Sequence, residues 1–142
     1  MAAPPPLAQQ DPAFAATIRT MGMLACILAA MNVVWAGLIA IGGIVDVTGL
    51  IQESDPTAPP RGVIAAMCLP WALLIVAIAA TQAWAGWACL KQHRRLRTAC
   101  LGAGFVSVAC LCLYCAYPLS LAWGVFALVV MFGDKAKHYF GQ

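Results

Sequence analysis

Seven cysteines and a few amide and hydroxyl side chains set in apolar surroundings carry the chemistry open to this 142-residue chain. Cys112 and Cys115, in "CLCLYC", form a C-x-x-C, the spacing used in thiol–disulfide exchange. That exchange needs a stabilised thiolate. The pair stands at the C-terminal end of an apolar run, where the helix dipole disfavours an anion, and no cation is near in sequence. Cysteine as a small apolar packing residue is the plainer reading for Cys26, Cys68, Cys89, Cys100 and Cys110 as well. Cys89 and Cys100 also flank a basic loop, a setting in which cysteines become acylated. His93 and His138 belong to basic segments away from the cysteine cluster, so no Cys/His set converges and no metal is expected.

Asn32 and Gln82 are the most polar side chains well inside two long apolar runs, and an amide in hydrocarbon turns inward to find a partner. Asn32 and Trp35 stand three residues apart, near enough to share a helix face. The plain role of these residues is to tie helices together. The sharper one makes Asn32, Trp35 and Gln82 contacts for the head group of a quinone, lipid or pigment. No ionisable group lies at the depth where an ion-coupled carrier keeps one. No phosphate loop, zinc-protease helix, serine triad or dinucleotide fingerprint is present.

The elements that must hold these residues follow from composition: 63% apolar and 9% charged lies outside the soluble range. Charge is nearly absent from about 21–45, 63–90, 98–114 and 119–132, which predicts four transmembrane helices in an all-α bundle. The first two runs exceed the roughly 20 residues that a 30 Å layer demands. The last two are short and are expected to form a tight hairpin bent at "YCAYP", anchored by Tyr114 and Tyr117, which crosses twice, with a re-entrant dip as the alternative that hydropathy alone does not separate. Trp71 at one end of the second helix and Trp84 with Trp87 at the other form a belt. Residues 1–16, Pro- and Ala-rich, read as a mobile tail, and 17–142 as the membrane domain.

"KQHRRLR" crowds Lys91, Arg94, Arg95 and Arg97 into one loop. With the N-terminus cytoplasmic, these four, Arg19, Lys135 and Lys137 lie inside and only Arg61 outside, as the positive-inside rule requires. Both termini are therefore expected in the cytoplasm. Lys91, Arg94, Arg95, Arg97, Lys135 and Lys137 are expected to meet lipid head groups. Four cations on a short loop between membrane helices offer no surface to track phosphates, which excludes nucleic acid as a partner. Small residues at four-residue spacing, Ala36 with Ala40, Ala79 with Ala83, Ala99 with Ala103 and Ser107, and Ser120 with Gly124, mark faces on which helices can approach closely.

From Ala83 onward the chain resembles a broad group of small, uncharacterised bacterial membrane proteins with four helices. The likeness rests on Gly86, Arg95 with Arg97, Pro118, Gly124 and Phe140, in "AGWACLKQHRRLRTACLGAG" and "YPLSLAWGVFALVVMFGDKAKHYF". It implies the same topology and a bacterial inner membrane, and no chemistry. The expected role is a non-enzymatic interaction or accessory subunit of a membrane assembly, with the bilayer and other membrane chains, or copies of itself, as partners. The alternatives are a thiol/quinone redox protein built on Cys112 and Cys115, with quinone as its cofactor, and an oligomeric transporter of small solutes.

Overall fold

The computed structural model describes residues 11–44, 61–91, 95–109 and 118–140. It is helical throughout, with no strand among the described residues. α1 spans Pro12–Ile44, α2 Arg61–Leu90, α3 Leu96–Ala109, α4 Pro118–Phe132 and the short α5 Asp134–Phe140. Two stretches, Pro12–Gly42 in α1 and Ala66–Leu90 in α2, are long and apolar enough to cross a membrane. α3 and α4, of 14 and 15 residues, each reach only about 21 to 23 Å. Length alone therefore supports two of the four expected spans. Residues 110–114, the end of the expected third run, lie outside the described residues.

α1 starts earlier than the sequence reading placed it. Asp11 accepts hydrogen bonds at Oδ1 from the backbone N–H of Ala13 and Phe14, both at 3.0 Å, and Pro12 occupies the first helical position, where its missing N–H costs nothing. Part of the expected tail is thus helix, with Phe14 and Ala15 buried. Residues 1–10 lie outside the described residues. Lys135 joins the cap through a 3.2 Å ion pair to Asp11. Thr17 and Thr20 donate their hydroxyls back to the carbonyls of Ala13 and Ala16 at 3.0 and 3.1 Å, which removes the cost of a bare hydroxyl on an apolar helix. α2 runs through Pro70, whose missing N–H frees one carbonyl without ending the helix. Gly133 closes α4, its N–H donating to the Val129 carbonyl at 3.0 Å.

The helices form a ring in which α1 packs on α2, α2 on α3, α3 on α4 and α4 on α1. Neighbours run antiparallel. As α1 proceeds from Gly22 through Cys26 to Asn32, its partners on α2 step back from Cys89 through Gly86 to Gln82. Buried positions follow a 3–4 alternation. They fall at Ile18, Met21, Ala25, Leu28 and Asn32 on α1, and at Ala72, Ile75, Ala79 and Gln82 on α2. The same rhythm gives Leu96, Cys100, Ala103 and Ser107 on α3, and Ser120, Trp123, Ala127 and Met131 on α4. This spacing matches the left-handed packing of bundle helices.

Two glycine pairs set how closely the helices approach. A Cβ at Gly86 would lie 2.9 Å from the Gly22 carbonyl and 2.6 Å from Cys26 Sγ, and one at Gly22 would lie 2.7 Å from Cys89 Cβ. α3 meets α4 in the same manner, since a Cβ at Gly124 would lie 3.1 Å from the Gly104 carbonyl and 2.9 Å from Ser107 Cβ. Many bulky apolar side chains point outward, Leu73 being 69% and Val129 65% exposed, while Ile18, Met21, Ile75, Leu96 and Met131 fill the interior.

Gly86→Ala should destabilise the protein by about 1 to 3 kcal/mol, because the methyl meets backbone that cannot yield. Gly102→Ala, with open space around its Cα, should be neutral or stabilising by about 1 kcal/mol. Denaturant unfolding in one detergent would compare them; equal effects would remove the crossing from the account.

Asp11 titrates below its ordinary value, chiefly because the Phe14 N–H bonds its carboxylate and next because Lys135 does. A carboxyl depressed in the folded state stabilises above the unfolded value, near pH 4, and loses that contribution as pH falls through the lower folded value. Thermal melting of the native chain should therefore fall below about pH 4, while that of Asp11→Asn should change less over the same range.

Candidate functional site

One layer of the interior is polar, and each of the four long helices supplies one residue to it. The Asn32 Nδ2 of α1 donates to Gln82 Oε1 of α2 at 2.8 Å and to Ser120 Oγ of α4 at 3.4 Å. Gln82 Nε2 donates in turn to Ser107 Oγ of α3 at 3.2 Å. Asn32 is 3% exposed and Gln82 0%. The donors and acceptors interlock: both protons of the Asn32 amide find oxygens, and the Gln82 amide accepts with one end and donates with the other. Each of the four residues falls on the buried row of its helix.

None of these groups titrates in the physiological range, and the four side chains include no carboxylate, imidazole or amine to activate a serine hydroxyl. It can hold helices together, or it can grip a polar group. Two shallow cavities, of about 260 and 340 Å³, sit instead where α1 begins, one between α1 and α4 beside Phe14 and Val130, the other along α1 beside Arg19. Neither is lined by a residue of the layer.

The residues expected to do chemistry are partly brought together and partly dispersed. Asn32 and Gln82 meet directly. Trp35 does not join them: it is 39% exposed, because the buried row of α1 steps from Asn32 to Ala36 and leaves Trp35 on its flank. Among the small residues, Ala36, Ala79, Ala99, Ala103, Ser120 and Gly124 are buried, Ala40 is half-buried and Ala83 is exposed. Lys91 and Arg95 are exposed and Arg97 half-buried. Lys135 and Lys137 pair with acids, Lys137 with Asp134 at 3.0 Å. Arg94, Cys110, Cys112, Cys115 and the Tyr114 and Tyr117 anchors lie outside the described residues.

Two contacts escaped the sequence reading. Trp123, 4% exposed in the second turn of α4, donates its indole N–H to the Met21 carbonyl of α1 at 3.1 Å. It stands only about one turn from the start of the apolar run, so the sequence alone did not mark it as a buried tryptophan whose N–H needs a partner. Cys89 and Cys100, both fully buried, bring their sulfurs to 3.2 Å. That burial removes them from an acylating enzyme. Among the described residues no three His, Cys, Asp or Glu side chains gather as a metal group.

No family model, curated protein or solved structure matches the chain.

A double-mutant cycle on Asn32→Leu and Gln82→Leu should give a coupling of about 0.6 to 2 kcal/mol in a membrane-mimetic medium. Gln82→Leu alone should cost more than Ser107→Ala alone, because it strands the Asn32 amide as well as the Ser107 hydroxyl. Additive single effects would show that the two amides do not depend on each other.

Proposed function

We propose that the chain is a four-span integral membrane protein of a bacterial inner membrane, with both termini cytoplasmic, serving as a non-catalytic subunit that contacts lipid and other membrane chains. The observation that carries this reading is the division of labour between inside and outside. The polar groups of the interior are engaged with one another, whereas the outward faces of α1 and α2 are apolar.

Only 28% of an 18-residue apolar window in each candidate span is buried, whereas the core helix of a soluble protein is mostly covered. The outward side chains include Ile27, Val34, Leu38, Met67 and Leu73, a surface suited to lipid tails and to other helices. Trp71 stands about 20 to 24 Å along α2 from Trp84 and Trp87, an aromatic group toward each end of a membrane-length run. The cations beside Trp84 and Trp87 favour the cytoplasm for that end. The likeness of the second half to small four-helix bacterial membrane proteins agrees with this topology.

Topology and partnership can be tested separately. Alkaline phosphatase fused after residue 52 or within 110–117 should be active, and fused within 91–95 or after residue 142 inactive. An inactive fusion at 110–117 would make α3 and α4 a re-entrant hairpin. Native mass spectrometry of protein released from its own membrane in mild detergent should show a defined complex with another membrane chain. A lone chain carrying a quinone-sized ligand would replace the subunit reading with the redox one.

A further inference from the structure

We infer that Cys89 and Cys100 are a two-electron redox site, converted by a neutral hydroperoxide into a disulfide that staples α2 to α3 across the basic turn. The pairing is built by the fold. Cys89 lies in the last turn of α2 and Cys100 in the second turn of α3, and their sulfurs stand 3.2 Å apart in an S–H···S contact with both residues 0% exposed. On the α1 side Cys89 is closed in by Gly22, where even one added carbon would lie 2.7 Å from its Cβ. The space left to the Cys89 sulfur is toward Cys100.

The surroundings choose among the reactions open to two thiols. They pack with Ala85, Ala88, Leu96, Ala99 and Ala103 in an apolar cluster, so a charged product is penalised. A monovalent soft metal ion held between two thiolates leaves a net negative charge, and any metal ion must spread the sulfurs from 3.2 Å to about 4 Å or more, given metal–sulfur bonds near 2.3 Å. A disulfide is neutral and draws the sulfurs together, to about 2.05 Å. The oxidant must dissolve in an apolar interior, which favours a neutral peroxide over a charged one.

The step balances. One sulfur attacks the terminal peroxide oxygen, the O–O bond breaks, and the alcohol leaves with the thiol proton, giving a sulfenic acid. The second thiol displaces the sulfenic hydroxyl, which departs with the second thiol proton as water. Two thiols and one hydroperoxide become one disulfide, one alcohol and one water. Burial slows the first attack by disfavouring the thiolate, and the preformed partner makes the second fast. A dithiol reductant reverses the product by exchange. Lys91 to Arg97 lie between the two cysteines, so the bond would hold the basic turn at a fixed distance from the core.

The same basic residues provide the test. Full-length protein in lipid nanodiscs is treated with tert-butyl hydroperoxide, its remaining thiols are alkylated with N-ethylmaleimide in denaturant, and it is digested with trypsin without reductant. Cleavage after Lys91, Arg94, Arg95 and Arg97 separates Cys89 from Cys100 unless a disulfide joins them. The expected result is a linked peptide pair that splits on reduction, with alkylation lost equally at 89 and 100 while Cys26 and Cys68 stay alkylated. Recovery of both cysteines alkylated after Cys26 and Cys68 have oxidised would overturn the inference, as would linkage of either one to another cysteine. Cys100→Ser adds a second reading: Cys89 should then be recovered as the alkylated thiol or as a sulfenic acid trapped by dimedone, and its linkage to any other cysteine would also overturn the pairing.

Discussion

An amide in an apolar interior must find a partner, and the 2.8 Å bond between Asn32 and Gln82 is where this protein meets that requirement. The bond matters beyond its own energy because it adds a directional contact to a register that the Gly22–Gly86 crossing and the buried Ile18, Met21, Leu28 and Ile75 also favour. A one-turn slide of about 5.4 Å would break the amide pair outright, so the polar contact and the glycine crossing select the same register. Buried polar residues fix the register of coiled coils for the same reason. The second proton of Asn32 and the far end of Gln82 then carry the choice to Ser120 and Ser107, and so to α4 and α3.

Once the register is set, the glycines fall opposite one another. Gly22 faces Gly86 across α1 and α2, and Gly104 faces Gly124 across α3 and α4, so each hairpin closes to backbone contact. Many Leu, Ile, Val and Met side chains face outward, while Ile18, Met21, Ile75, Leu96, Trp123 and Met131 fill the interior. Between the two hairpins, a pair of cysteine sulfurs touches across α2 and α3, and Trp123 reaches a main-chain carbonyl on α1.

The helical class and the rough extent of α1, α2 and α4 were legible in the sequence, because long uncharged runs leave few other structures possible. Asn32 and Gln82 were legible as inward-facing from the same physics, but their partners were not. Ser107 and Ser120 were visible only as small residues, since a serine can satisfy itself on its own helix and declares no need for a partner. Trp35 was misplaced, because three residues advance a helix by 300° and leave a 60° error that sequence cannot resolve without knowing the axis of the buried row. The start of α1 was missed although Asp11-Pro12 is a capping signal, the Pro- and Ala-rich composition ahead of it having outweighed the local chemistry. Gly22 was passed over for a different reason: a glycine matters only through what lies opposite, and that is a property of the pair.

The polar layer and the end where α1 begins differ in how they respond to conditions. Asn32, Gln82, Ser107 and Ser120 are neutral at any physiological pH and inert to mild oxidants, so the tie between the four helices does not vary with the state of the cell. The Asp11–Lys135 pair and the Cys89–Cys100 contact, by contrast, depend on protonation and on redox state, and both sit at the end shared with the basic turn. A fixed pin about 10 Å along α2 from Cys89 and responsive contacts nearer the basic turn restrict any regulated change to that end. There it can reposition the cations of the Lys91–Arg97 turn relative to the core while the helix register stays constant. A helical bundle that keeps its outward faces fixed, yet alters what one end presents, needs this separation.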